Sequence, residues 1–305
     1  MRRREAIALT AMGIGAWGEV AKAADTITLT LGGAAVNVRF GPGDFDLPRD
    51  ELMVWISTAA RAVTVYYGRF PVSTAAIEVI PATDKAGVLG GVTYGAPART
   101  QITVGQHTSA RQLEHNWTMT HELVHMAFPS VSRQHHWIGE GLATYVEPIA
   151  RAQAGSLSAE RVWADMVHDM PQGQPGPGDR GLDHTRNWGR TYWGGAVFCL
   201  LADVQFRERT GNRRGLQHAL RGILAAGGNI DGEWTMKRTL SAGDDAAGVP
   251  VLKELYEQMK DVPVEVDRAS LWRRLGVSVA EGTVVFQADA PLAAVRAAIT
   301  STYFH

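Results

Sequence analysis

A chain of 305 residues, 45% of them apolar, with 33 glycines and 13 prolines, is long enough to bury a large core and is not a low-complexity polymer. Its 30 Lys and Arg against 31 Asp and Glu leave a formal charge of −1, so nothing in the charge balance points to nucleic acid or another polyanionic partner. The single cysteine, Cys199, excludes an internal disulfide, and its neighbours Val197, Phe198, Leu200 and Leu201 place it in a core.

In chain order, residues 1–23 read as an export signal: Arg2-Arg3-Arg4, a short apolar run from Ala6 to Trp17 broken by Gly13 and Gly15, then small residues at Ala21 and Ala23. The adjacent arginines and weakly apolar core resemble a twin-arginine signal, with Sec export as the alternative; the expected destination is the periplasm. No later segment is apolar enough to span a bilayer, so stable membrane insertion after signal removal is not expected. Alternation over Thr26–Leu31 and Ala35–Phe40, with Gly32-Gly33 between, predicts a β-hairpin. Leu52, Trp55, Ile56, Ala59, Val63, Tyr66 and Tyr67 recur at helical spacing, and Pro48 suits a first turn. Ala76–Ile80 reads as a strand, and Gly90–Gly95 as a glycine-rich loop leading to a strand at Gln101–Val104.

The segment that carries chemistry is His121-Glu122-Leu123-Val124-His125. Histidines four apart lie above one another on one helix face, so two ring nitrogens can converge on one metal ion with Glu122 beside them. Zinc held by three protein ligands keeps a fourth position for water and lowers its pKa, and a carboxylate nearby can then take its proton. Leu113, Trp117, Thr120, Val124 and Phe128 form the stripe of a helix that Pro129 would end. A third ligand is still needed. The metzincin pattern would place Gly at 128 and His at 131, where this chain has Phe128 and Val131. Glu140, His135, His136 and Glu147 all lie downstream within reach of a second helix.

Trp137-Ile138-Gly139-Glu140-Gly141-Leu142-Ala143 resembles the Trp-Leu-Asn-Glu-Gly-Phe/Leu-Ala segment of the gluzincin zinc peptidases, in their aminopeptidase N-like and glycyl-aminopeptidase-like branches. That resemblance makes Glu140 the third zinc ligand, although the interval from His125 is shorter than in the large aminopeptidases. Further on, Tyr192-Trp193-Gly194-Gly195 is similar to the Tyr-x-Lys-Gly segment whose tyrosine donates to the oxyanion, with Gly194 replacing the Lys. The family also implies that the strand before the zinc helix offers its edge to substrate, here assigned to residues 91–104. The Gly-Ala-Met-Glu-Asn element that captures a free amino terminus in aminopeptidase N-like enzymes has no counterpart here.

Leu157–Met170 predicts another helix, and Pro171–Gly178 a mobile loop or lid. Helices are expected over Ala196–Arg209, around Leu216–Leu224 and over Val249–Met259, followed by a strand at Thr283–Gln287 and a helix at Pro291–Ile299. The expectation is an α+β, zincin-like catalytic unit: residues 24–129 as a sheet-containing lobe ending in the zinc helix, and residues 130–305 as a mainly helical lobe with the third ligand and Tyr192. Function follows as a secreted metallopeptidase using Zn2+ on His121, His125 and Glu140, with Glu122 as general base and Tyr192 as oxyanion donor, acting on a peptide or protein substrate. An aminopeptidase of the same superfamily and a non-catalytic zinc-stabilised binding protein are the alternatives.

Overall fold

The computed structural model describes residues 26–301; the export signal expected over residues 1–23 lies outside them. Strands β1 (Ile27–Leu31) and β2 (Ala34–Phe40) form the expected hairpin. Its two-residue connection, Gly32-Gly33, has φ of 54° and 84°, values that glycine adopts without steric cost and that match the twist of paired strands. Helix α1 (Arg49–Tyr67) crosses over to β3 (Thr74–Ala82), which lies parallel to β2. Leu52, Ile56, Ala59, Val63 and Tyr66 of α1 are buried, as are Val36 and Val38 of β2 and Ile77 and Val79 of β3. Period 3.6 in the helix and period 2 in the strands thus converge on one apolar layer.

Strands β4 (Val88–Tyr94) and β5 (Arg99–Gly105) complete a five-stranded sheet of order β1-β2-β3-β5-β4. Here the sequence reading needs a correction. Gly90–Gly95 is largely strand rather than loop, and of the two strands in this stretch only β4 is at a sheet edge; β5 lies between β3 and β4. The substrate edge assigned to residues 91–104 therefore shrinks to residues within β4.

The expected zinc helix is two helices. A short α2 (Ala110–Glu114) opens with a reciprocal Ser109–Gln112 cap, the chain breaks at His115–Trp117, and α3 (Thr118–His125) begins where the Asn116 side chain accepts the Thr118 N–H at 2.8 Å. Helix α3 ends at His125, ahead of Pro129. Then come α4 (His136–Gln153), α5 (Ala159–Asp169), a π-helical turn at Gly189–Gly194, α6 (Gly195–Arg209) and α7 (Leu216–Ala225). Helices α8 (Met236–Ala247), α9 (Val251–Met259) and α10 (Arg268–Leu275), a hairpin of β6 (Val277–Ala280) and β7 (Thr283–Phe286), and α11 (Ala293–Thr300) finish the order. Sequence periodicity misses α8 because its buried face mixes Met236 and Leu240 with Thr239, Gly243 and Asp244. Helix α10 buries only Leu271 and Leu275.

One apolar core runs without a break from Ala34 to Ile299, and α1 packs against both α3 and α4. The segment 171–178 is anchored in its first half, at Gly173 and Gln174, whereas Gly176 and Gly178 are exposed with open space around them. Gly173 is buried against the Trp193–Gly194 backbone, where a Cβ would lie 2.3 Å from the Trp193 carbonyl carbon. Gln174 exchanges hydrogen bonds with the Val266 backbone at 2.7 and 3.1 Å, and beyond the segment Asp179 meets buried Arg190 at 2.6 Å.

Candidate metal centre

Helices α3 and α4 pack together and bring His121, His125 and Glu140 to one point. Glu140 Oε2 lies 3.3 Å from His121 Nε2 and 3.6 Å from His125 Nε2, and one ligand atom from each residue falls within 4.8 Å of the others. Zinc bound tetrahedrally at about 2.0–2.2 Å from each ligand would hold such atoms roughly 3.3–3.6 Å apart, so the spacing fits that ion. Two imidazoles and one carboxylate also form the donor set of hydrolytic zinc sites that keep a fourth position open. Among the described residues no other group of three His, Cys, Asp or Glu meets this criterion.

The electrostatics agree with a site shaped for a cation. Burial works to depress the His125 pKa, but the Glu140 charge and hydrogen bond, with a contribution from Glu122, outweigh it and push the imidazole up to about 9. For Glu140, burial acts to raise the carboxyl pKa; His125 and His121 reverse this and hold it well below the usual carboxylate range. On the outer side, exposed His136 approaches the second carboxylate oxygen, with Nε2 3.3 Å from Oε1, and so braces Glu140 rather than joining the three.

The remaining candidates point elsewhere. Buried His135 bonds through Nδ1 to Asp183 Oδ1 at 2.9 Å; the same Asp183 accepts from Trp137 Nε1 at 2.8 Å and from the Tyr256 hydroxyl at 2.7 Å. Glu147 accepts from Arg151 at 2.9 Å and is also buried.

Glu122, 7% exposed, is fitted against the edge strand. The Thr93 hydroxyl donates to Glu122 Oε2 at 2.8 Å; it also lies 3.0 Å from the Glu122 carbonyl and 2.8 Å from the Thr100 hydroxyl. A hydroxyl carries one proton, so donation from Thr100 to Thr93 leaves the Thr93 proton for the carboxylate. Two residues back along β4, a Cβ on Gly91 would stand 2.7 Å from Glu122 Cγ, so only glycine leaves room for the carboxylate arm there.

Tyr192 sits in the π-helical turn, its ring nearly parallel to that of His121 at 6.1 Å and 17°. Burial, reinforced by Glu140 and Glu122, raises its phenol pKa well above the ordinary value, so the group remains a donor. Backbone contact fixes the start of α6, directly after this turn, against α4: a Cβ on Gly141 would lie 2.3 Å from Gly195 Cα, and one on Gly195 would lie 2.3 Å from the Trp137 carbonyl oxygen. A cleft of about 1750 Å³ takes in His121, Glu122, His125, Glu140, Tyr192 and the whole of β4. Sequence reasoning did not single out Thr93 or Gly91 as partners of Glu122; the signal on offer was the pair of glycines in an otherwise strand-like run.

No family profile and no curated protein sequence matches the chain. Solved structures do. An aminopeptidase N family protein from Idiomarina loihiensis superposes with TM-score 0.63 at 11% identity over 84% of this chain and 50% of its own. An M1 zinc metallopeptidase from Deinococcus radiodurans gives TM-score 0.50 at 16% identity, over 79% and 53%. A mutant of an M1 zinc metallopeptidase from the same organism, bound to a Tyr-Ser-Ala substrate, gives 0.51 at 14%, over 79% and 54%. The chain therefore has the mixed α and β fold of M1 zinc metallopeptidases and spans about half their length.

Proposed function

We propose that the protein is a zinc-dependent metallopeptidase. The observation that carries this reading is the convergence of His121, His125 and Glu140 at ligand spacing, with Glu122 held beside them by a neighbouring strand. These three residues would hold the ion, which when bound supplies Lewis acidity to a carbonyl and lowers the pKa of water. Glu122 takes the proton of the attacking water and returns it to the leaving amine. Tyr192 donates its phenolic hydrogen to the carbonyl oxygen as negative charge gathers there. Edge strand β4, bonded only to β5, offers free backbone groups to an extended peptide alongside Glu122.

The fold shared with M1 zinc metallopeptidases supports the reading; among those structures one mutant is bound to L-arginine and another to a Tyr-Ser-Ala substrate. The sequence of residues 1–23 supports export, to be tested by fusing that segment to a reporter and assaying the periplasm. The central test is Glu122→Gln, which preserves shape and removes the base. Zinc content and thermal stability should match wild type, while hydrolysis of a mixed peptide library should fall on the order of a thousandfold. Undiminished hydrolysis in the variant would overturn the mechanism; a wild type that folds without binding zinc would overturn the whole reading.

A further inference from the structure

A row of rings walls the cleft beside the metal triad. Trp117, just ahead of α3, meets His121 edge-on with centroids 5.1 Å apart; Tyr192 lies nearly parallel to His121; and Trp188 lies nearly parallel to Tyr192 at 5.7 Å and 24°. All four line the same cleft. Two tryptophans thus bracket a metal ligand and the proposed oxyanion donor. Trp117 is 36% exposed and Trp188 partly buried, whereas Trp137, Trp163 and Trp193 are at most 4% exposed. Indole surface left open to water in a concave site is surface that a ligand can cover with gain.

Several charged groups further along the cleft are matched to one another and so do not compete for the same role. Glu147 is paired with Arg151 and Arg161 with Asp165, both at 2.9 Å, and His168 with Asp169 at 2.8 Å. Beside His121 and Tyr192 the cleft offers the indole surfaces of Trp117 and Trp188, while exposed Arg133 also borders it.

We infer that the cleft selects peptides carrying a bulky apolar or aromatic side chain beside the scissile bond, with Trp117 and Trp188 as the specificity-determining residues. The inference rests on the peptidase reading and adds a substrate class to it. A flat apolar side chain entering the row takes offset or edge contacts with the indoles and excludes water from them. A small polar side chain loses its own hydration there and leaves the rings wet. The reaction is ordinary hydrolysis: one water is consumed, the C–N bond breaks, a C–O bond forms, and a proton of the water ends on the new amine.

The test uses zinc-loaded full-length protein and a set of peptides identical except at the two residues flanking a central bond, where Phe, Leu, Arg or Ser is placed. Wild type should cleave the Phe and Leu peptides with kcat/KM at least about tenfold above the Ser peptide, chiefly through KM. Trp117→Ala and Trp188→Ala, each checked for zinc content, should bring the Phe-to-Ser ratio to within about threefold. Equal rates for Phe and Ser, a preference for Arg, or a Phe preference intact in both variants would overturn the inference. Calorimetric binding of the same peptides to Glu122→Gln protein separates this failure from that of the peptidase reading. If nothing is cleaved by the zinc-loaded wild type, the peptidase reading falls, and the aromatic pocket is judged on binding alone: at least tenfold tighter Phe than Ser, lost with Trp117, supports it, and no difference sinks it.

Discussion

Helix α4 carries two buried polar clusters that differ in one respect. Near its start, Glu140 is surrounded by imidazole nitrogens at 3.3, 3.6 and 3.3 Å. One turn and a half further on, the Tyr145 hydroxyl donates at 3.0 Å to Asp203, which also accepts from Arg207 Nε at 2.8 Å and from the Leu216 N–H at 3.1 Å. Both clusters are buried, and both contain groups whose titration is displaced: burial and then Asp203 raise the Tyr145 pKa, much as burial and Glu140 raise that of Tyr192. Burial and perturbed protonation therefore do not tell a candidate site from a structural cluster. Arrangement does. Around Asp203 the donors approach at hydrogen-bond distance from several sides and close the cluster; around Glu140 the nitrogens stand further off, and those of His121 and His125 share one point with it beside an open cleft.

The largest effect is expected at the closed cluster. Arg207→Met would strand a carboxylate that is 2% exposed, and losing one partner of such a pair costs about 3–5 kcal/mol. Urea unfolding should show that loss, with zinc per folded chain unchanged. If zinc falls and stability does not, the roles of the clusters have been exchanged. At the open cluster, Glu140→Gln should weaken zinc by more than the roughly 10–100-fold typical of residues that brace a ligand, whereas His136→Ala should stay within that range. Competition with a chromogenic chelator reads both, and equal losses would place His136 among the ligands.

Smaller effects sharpen the contrast. Thr93→Val removes the hydroxyl that aims Glu122 and should lower kcat roughly tenfold to a hundredfold with KM nearly constant, and Thr93→Ser should restore it. Loss of zinc in the valine variant would show that β4 holds the metal helix rather than the base.

The slightest effect belongs to His218, which borders the closed cluster and accepts the Gly215 N–H at 3.1 Å. Burial, then Arg214, Arg207 and Arg221, against a smaller opposing pull from Asp203, hold its pKa near 4 rather than 6.5. Between those values the unfolded chain binds the proton that the folded chain refuses. The contribution of His218 is therefore complete above pH 6.5 and lost as pH falls towards 4. Melting temperatures at pH 7 and 5 should differ less in His218→Gln than in wild type.

How much could be read beforehand follows from sequence distance. His121 and His125 are one helical turn apart, and α1, β2 and β3 announce themselves by period, so all were legible locally. Glu140 emerged as a candidate from its position and as the choice only through a resemblance; the structure puts it with the histidines and takes His135 away to Asp183. Thr93 was out of reach, since its tie to Glu122 spans 29 residues and depends on which face of an edge strand turns inward. The anchors of the segment after Pro171 were not legible, because proline and glycine mark only the absence of helix, whereas the contacts with Val266 and with Trp193–Gly194 are distant in sequence.

The contact between Gly141 and Gly195 has a consequence for how this molecule can change over generations. Each glycine adjoins or closely follows a residue of the site, Glu140 in one helix and Tyr192 in the other, and main chain meets main chain where they touch. The gap between carboxylate and phenol is thus gauged by the thickness of two backbones, a dimension with no adjustable part. Saturation mutagenesis should find tolerance at His136, the exposed first residue of α4, and almost none at these two glycines. Even alanine would wedge the helices apart and widen the gauge, and a lineage that kept His121, Glu122 and His125 but lost either glycine would change the spacing of Glu140 and Tyr192.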